Sequence, residues 1–322
     1  MTPRSRLAGA IVYLSCLMAL LPGAALAHGL RLAQLTIVPL DDQSLEVHWR
    51  STAADPLPRL SIGGPCTSAV PSAAADAAIS VRCAGPGSRA LLRLAGLSPE
   101  TQLVLSVGKT GQAPVARLLS GADRYEVPWA DGSQSALAGA VEYVILGTTH
   151  IFAGADHLLF LLALLLLAPR PGALVRIATL FTIGHSATLA LAATDTIVVD
   201  PALAELAIAL TLVIAARELH RAPAAGVMPG HRLQGTALAF GLVHGLGFAG
   251  ALDLIGLPSG RLVVSLAAFN LGVEIGQVAL LLAGWIVLGA VRRAWAGSMA
   301  LVARSAALLT GSAGVFWCLQ RF

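Results

Sequence analysis

Charged residues are scarce in this chain. Asp, Glu, Lys and Arg together make up only 12% of its 322 residues, whereas a typical soluble domain has about 25%. Hydrophobic residues reach 56%, and from residue 136 onward they recur in long runs rich in Leu, Ala, Val and Ile. This pattern excludes an ordinary soluble domain and predicts a polytopic protein in contact with the lipid bilayer.

Two other absences limit the function. The formal net charge is only +4, and arginines at membrane boundaries account for it, so no nucleic-acid partner is predicted. The chain also has no phosphate-binding sequence of the GxxxxGKS or GxxxxGKT type. ATP-driven transport by this chain alone is therefore not expected.

Cysteine occurs only four times. Cys16 lies in the N-terminal apolar segment and Cys318 in the last apolar run, so Cys66 and Cys83 are the only two cysteines between these segments. An oxidising compartment would favour a disulfide bond between them. Closing a loop of this size would add about 3 kcal/mol of stability.

Residues 1–27 have the pattern of a secretory signal peptide. Arg4 and Arg6 give a basic start, an apolar stretch follows, and Ala25 and Ala27 form a small-x-small cleavage pattern. We therefore predict cleavage after Ala27 and export of the residues that follow. An uncleaved first helix is the alternative.

The rest of the chain divides into two predicted domains. Residues 28–133 contain strand-like stretches such as QLTIVPL, SLEVHWR and TQLVLSVG between turn-rich stretches. They predict a small exported β-sandwich-like domain, which could bind an exported protein partner. Residues 134–322 are predicted to form a mostly α, polytopic helical membrane bundle. Its six or so transmembrane helices lie near 153–169, 172–193, 201–219, 233–255, 261–291 and 298–319.

The arginine positions predict the orientation. If the N-terminal domain is exported, the first span runs inward. Most arginines at span boundaries, including Arg170, Arg217 and Arg292, then lie on the cytoplasmic side. This agrees with the positive-inside rule. We therefore predict a multi-pass protein of the inner (plasma) membrane with an extracytoplasmic N-terminal domain.

Several predicted spans contain polar side chains. A charged side chain at the bilayer centre costs about 2.5–3.5 kcal/mol on insertion scales, so such residues usually pair with one another or serve a function. Taken singly, an intramembrane amide or hydroxyl is equally consistent with hydrogen bonding between helices. The candidate metal ligands are His150, Asp156, His157, His185, His244 and Glu274, with Ser186, Asn270 and Gln277 as supporting residues.

The segment HIFAGADHLLFLLALLLL, residues 150–167, starts like a metal site and ends like a membrane span. On a continuous helix His150 and His157 would lie on one face, and Asp156, about 100° round, could orient an imidazole. Histidine with carboxylate suits nickel, cobalt, zinc or copper(II), so the residue types alone do not select the metal.

Four segments resemble the HupE/UreJ family of hydrogenase- and urease-associated membrane proteins: HIFAGADHLLFLLALLLL, LFTIGHSATLALA, AFGLVHGLGFA and FNLGVEIGQ. The resemblance implies nickel or cobalt permeation. It also implies a set of ligands, namely His150, Asp156, His157 and His185, with His244 and Glu274 as further motif residues. The spacing from His150 to Asp156 is one residue longer than in the related nickel/cobalt permeases, and the exported domain is an addition to the shorter family members.

Three classes of function follow. The first is a secondary permease for a divalent transition metal. The second is an intramembrane metal-dependent hydrolase, in which His157, His185 and His244 hold zinc and Asp156 or Glu274 activates a water molecule. The third is a metal sensor or assembly factor that uses its outer domain to bind a partner. Measuring metal flux distinguishes the permease from the hydrolase, because a permease must carry the metal across the membrane whereas a hydrolase only has to bind it.

The signal-peptide pattern generates a direct prediction. The mature protein should begin at His28, because signal peptidase cleaves after a small-x-small pattern. N-terminal sequencing of membrane-inserted protein should read His-Gly-Leu. An intact Met1 would show instead that the first apolar segment is a membrane anchor.

Overall fold

The structure is a computed structural model of the chain. It describes residues 31–39, 44–51, 59–63, 66–67, 78–83, 90–95, 101–107, 115–120, 124–127, 136–168, 170–221, 230–248, 262–295 and 299–321. The predicted signal peptide, residues 1–27, lies outside the described residues.

Strands occupy the described residues between Arg31 and Val127. They are β1 (Arg31–Pro39), β2 (Ser44–Ser51), β3 (Arg59–Gly63), β4 (Cys66–Thr67), β5 (Ala78–Cys83), β6 (Ala90–Ala95), β7 (Thr101–Val107), β8 (Val115–Ser120) and β9 (Arg124–Val127). They form a six-stranded sheet in the order β4-β5-β2-β1-β7-β8 and a three-stranded sheet in the order β3-β6-β9. β1 pairs in parallel with β7, and the other pairs are antiparallel. A packed sandwich of these sheets and the domain boundary near residue 133 stay predictions.

The remaining described residues are mostly helical. The helices are α1 (Ala136–Ala153), α2 (Ala155–Leu167), α3 (Pro171–Ala193), α4 (Pro201–Arg221), α5 (Gly230–Gly247), α6 (Leu262–Ala294) and α7 (Met299–Gln320). Proline stands at the first position of α3 and of α4, where its missing N–H costs nothing and its fixed φ favours the helix.

Three of these helices, α3, α6 and α7, are long and apolar enough to cross a membrane. The pair α1 and α2 passes the same test together, although the two helices meet at an angle of 74°. The described residues thus contain three candidate spans, or four if the bent pair is one span. Helices α4 and α5 do not pass, since α4 carries Glu205, Arg217, Glu218 and Arg221 and α5 begins with the polar sequence GHRLQG. The prediction of six spans is therefore not confirmed.

The outer surface of the bundle is apolar. Many large hydrophobic side chains on α6 and α7 are exposed, and four of them, Val263, Ile286, Leu308 and Leu319, are at least 66% exposed. A soluble monomer rarely shows contiguous apolar surface on this scale. Together with the helix lengths, this surface indicates that the helical region is in contact with a lipid bilayer.

Helix α2 lies at the centre of the bundle. It is apolar on all sides and contacts α4, α6 and α7, as expected for a helix that is hydrophobic all round. At 1.5 Å per residue its length is about 20 Å, too short to cross a hydrocarbon core of about 30 Å by itself. Its polar N-terminal turn is therefore placed inside the bundle rather than at its outer boundary.

Glycines bring the surrounding helices into backbone contact. A Cβ on Gly241 of α5 would lie 2.1 Å from the Phe181 carbonyl oxygen of α3, and a Cβ on Gly272 of α6 would lie 2.0 Å from the Val144 carbonyl oxygen of α1. Such separations leave room only for glycine. Gly241 and Gly245, on either side of His244, permit the same close approach of α5 to α3.

The backbone positions of Cys66 and Cys83 are compatible with the predicted disulfide bond. Cys66 of β4 and Cys83 of β5 are directly opposite each other in an antiparallel pair. Residues opposite each other in such a pair have Cα atoms about 4.5–5.5 Å apart, within the range that a disulfide bond spans. Their side chains lie outside the described part of the structure, so the bond itself stays a prediction.

Thiol labelling tests the bond. Unreduced, denatured mature protein should react with maleimide only at Cys318, which is a free, half-buried thiol of α7. Cys318→Ser should then abolish labelling until the protein is reduced. Labelling of unreduced Cys318→Ser protein would contradict the Cys66–Cys83 pairing.

Candidate metal centre

A break at Gly154 brings the two histidines of HIFAGADH together. The continuous helix assumed in the sequence argument was wrong, because α1 ends at Ala153 and α2 starts in a different direction. Gly154 has φ −79° and ψ 105°, yet its N–H still donates to the His150 carbonyl and its own carbonyl accepts from Leu158. The bend therefore loses few backbone hydrogen bonds. The rings of His150 and His157 make an edge contact, with centroids 4.6 Å apart.

Asp156 lies against the ring of the next residue. Its Oδ1 atom accepts a hydrogen bond of 2.8 Å from the backbone N–H of His157 and lies 3.0 Å from Nδ1 of the same residue. The carboxylate is also in the first turn of α2, where the positive end of the helix dipole stabilises negative charge. Asp156 is thus placed to orient the His157 imidazole, or to supply a carboxylate oxygen beside it.

Two further imidazoles approach from α3 and α5. His185 is 0% exposed and His244 is 2% exposed. The His157 ring centroid is 5.1 Å from that of His244, and the His150 centroid is 6.1 Å from that of His185. Asp156, His157 and His244 each offer a ligand atom, and these atoms lie within 4.8 Å of one another. Four separate helices therefore contribute imidazoles to one buried cluster.

Phenylalanines enclose this cluster. Phe248 makes an edge contact with His150 at 4.6 Å between centroids, and Phe269 stacks on both Phe248 and His185. On the other side, Phe160 and Phe181 contact His244 at 5.8 Å and 5.2 Å. Aromatic rings exclude water and offer no conventional hydrogen-bond acceptor, so the sides of the imidazoles that face these rings gain no hydrogen bond from them.

Many of the ring nitrogens have no such partner. Buried polar atoms are almost always hydrogen-bonded in folded proteins, and each exception requires a physical reason. Among the described residues, the buried ring nitrogens without a hydrogen-bond partner include both nitrogens of His150, both nitrogens of His185, Nε2 of His157 and Nδ1 of His244. A metal ion is the ligand that a group of unpaired imidazole nitrogens suits best.

Glu274 lies in a different environment. Its carboxylate oxygens are 2.6 Å from the Thr179 hydroxyl and 2.5 Å from the Thr182 hydroxyl of α3. It lines a groove of about 620 Å³ between α3 and α6 together with Ser186 and Asn270. Two hydroxyl donors offset the cost of placing a carboxylate within a span.

The predicted ligands therefore fall into two places. His150, Asp156, His157, His185 and His244 come together in the buried cluster, whereas Glu274, Ser186 and Asn270 line the groove. Gln277 is buried beside the groove, where its Oε1 atom lies 3.1 Å from the Thr182 hydroxyl.

Sequence reasoning missed the threonines and the phenylalanines. Thr211 of α4 has its Oγ1 atom 3.1 Å from Nε2 of His244, and Thr179 and Thr182 hold Glu274. The available signal was a hydroxyl in an otherwise apolar helix, such as Thr211 in IALTLVIA. The aromatic shell had no such signal, because phenylalanine is ordinary in a membrane helix.

The fold and the cluster together define a helical membrane protein with a buried group of histidines and an aspartate. The sequence profile described as HupE / UreJ protein matches residues 130–321, which is more than half of the chain. The protein therefore belongs to the HupE/UreJ family, and this membership points to a nickel- or cobalt-related accessory or transport role. No curated protein and no solved structure matches the chain.

The cluster depends on the absence of a side chain at position 154. A Cβ there would lie 2.4 Å from Nδ1 of His157 and 2.8 Å from Oδ1 of Asp156. Gly154→Ala should therefore displace both side chains and lower the thermal stability of the detergent-solubilised protein, since overpacking typically costs about 1–3 kcal/mol. The matched control is Gly289→Ala in α6, where an added Cβ meets nothing within 4 Å. If both variants melted at the wild-type temperature, this steric account of Gly154 would be wrong.

Proposed function

We propose that this protein is a secondary transporter that carries a divalent transition-metal cation, nickel or cobalt, across the inner membrane through the buried cluster. The observation that carries the proposal is the set of unpaired imidazole nitrogens beside Asp156 in a water-poor site. Neutral imidazoles with a single carboxylate are strong but exchangeable ligands for these metals. In this proposal the metal is the cargo.

A transport site must replace the hydration shell of the ion and then release it. The cluster can do the first, because four imidazoles and Asp156 converge within one buried region. Release requires a neighbouring polar route. The groove supplies Ser186 from α3, the helix that also carries His185, and Asn270 and Glu274 from α6. We assign the onward route to this groove.

The direction of transport rests on the predicted topology. The exported domain, residues 28–133, and the cytoplasmic arginines would place the α1–α2 bend in the outer half of the membrane. Six crossings then require α4 and α5 to span the bilayer within the bundle. Helix α4 has one broad buried face, and its Glu205 pairs with Arg321, the residue that follows α7, by a contact of 2.7 Å. Such pairing reduces the cost of charge near a membrane boundary.

Individual histidine substitutions test the proposal. His157→Ala and His185→Ala should each abolish uptake of radiolabelled nickel or cobalt, because each removes a ligand from the cluster. Membrane abundance should remain, since the imidazole removed is neutral and Asp156 keeps its hydrogen bond from the backbone N–H of residue 157. Asp156→Asn should reduce uptake by about 10–100-fold if this residue orients His157. Uptake is measured in purified proteoliposomes and in cells, normalised to protein level.

The matched control is His220→Ala, which removes an exposed histidine at the end of α4, outside the cluster. It should transport like the wild type. Normal metal uptake by both His157→Ala and His185→Ala would contradict the transport proposal. Stoichiometric metal binding by wild-type protein without accumulation in proteoliposomes would favour the hydrolase, for which the same histidines would hold zinc.

A further inference from the structure

Thr211 makes two hydrogen-bond contacts from one hydroxyl. Its Oγ1 atom donates to the Ile208 carbonyl oxygen at 2.6 Å and lies 3.1 Å from Nε2 of His244. Thr211 is 4% exposed and His244 is 2% exposed, so water does not compete at either contact. This arrangement lies on the side of the His244 ring that faces α4.

The number of available hydrogens determines which atom is the donor in the hydrogen bond between Thr211 and His244. A hydroxyl has one hydrogen and a carbonyl oxygen has none. Two oxygen atoms 2.6 Å apart repel each other unless a hydrogen lies between them, so the Thr211 hydrogen points at the Ile208 carbonyl oxygen. The Thr211 oxygen must then accept from His244, which requires a hydrogen on Nε2. In a neutral imidazole with Nε2–H, the lone pair is on Nδ1. Among the described residues, Nδ1 of His244 is buried without a hydrogen-bond partner.

We infer that Thr211 is a positioning residue that fixes the tautomer of His244 and thereby makes Nδ1 its metal-binding nitrogen. This inference rests on the proposed function for the metal, but the tautomer itself does not. The hydrogen bond also restrains rotation of the ring about its Cβ–Cγ bond, so that Nδ1 keeps its buried position before any ion arrives. Preorganisation of this kind raises metal affinity, because the ligand does not have to reorient.

Three variants isolate the hydroxyl. Thr211→Val has the same shape without the hydroxyl, whereas Thr211→Ser keeps it. Thr310→Val is the matched control, because it removes a buried threonine hydroxyl from α7, where Oγ1 has no hydrogen-bond partner among the described residues. All are studied as full-length protein in detergent micelles.

The first measurement is the ¹⁵N spectrum of metal-free protein labelled at its histidine rings, with the His244 signals assigned from His244→Gln. Wild-type protein, Thr211→Ser and Thr310→Val should show a protonated Nε2 and an unprotonated Nδ1 at His244. Thr211→Val should lose this pure tautomer. A protonated Nδ1 in the wild type would overturn the inference.

The second measurement is Ni²⁺ affinity by equilibrium dialysis. Thr211→Val should bind about 10–100-fold more weakly than wild type, as is typical when a group that orients a ligand is removed, whereas Thr211→Ser and Thr310→Val should bind as wild type does. Equal affinity of Thr211→Val and wild type would also overturn the inference. If wild-type protein did not bind Ni²⁺ at all, the proposed function would fail, and the ¹⁵N spectrum alone would decide the role of Thr211.

Discussion

The bend at Gly154 is the constraint on which the rest of the site depends. Because α1 and α2 meet there at 74°, the polar first turn of α2 points into the bundle instead of continuing α1 towards a membrane surface. The bend puts the ring of His150, near the end of α1, beside the ring of His157, near the start of α2. The backbone angles at Gly154 are open to other residues, but a Cβ there would overlap the His157 ring, so the arrangement of the side chains favours glycine.

The rest of the bundle closes around that turn. Helices α3 and α5 approach at Gly184, Gly241 and Gly245, so His185 and His244 come from two helices whose backbones touch. Phenylalanines fill the remaining space and exclude water. Lipid cannot satisfy polar groups, so every polar atom in this region needs an internal partner. The carboxylate of Glu274 has hydroxyl donors, whereas several imidazole nitrogens, among them both nitrogens of His150 and of His185, have no hydrogen-bond partner among the described residues.

Much of the candidate site could be read from residue types. Histidines and carboxylates in apolar runs are expensive, and this cost alone singles out His157, His185, His244 and Glu274. The family and the membrane character followed from the same segments and are confirmed. Helical periodicity failed at residues 150–157, because it assumes an unbroken helix and cannot register a bend. Thr211 was missed since its importance lies in a contact with a residue 33 positions away.

The sequence by itself determined that this protein belongs in a lipid bilayer and which ionisable side chains its membrane segments contain. Composition favours a bilayer, and imidazole with carboxylate suits binding of a proton or a transition metal. Only the tertiary structure decided which of these groups meet. It separated Glu274 from the histidines and gave His244 a hydroxyl on α4. The physical reason is that the cost of burying a side chain depends on its residue type and can be read from the sequence. Hydrogen bonds between helices depend on how the helices pack, and the periodicity of one helix carries no information about that packing.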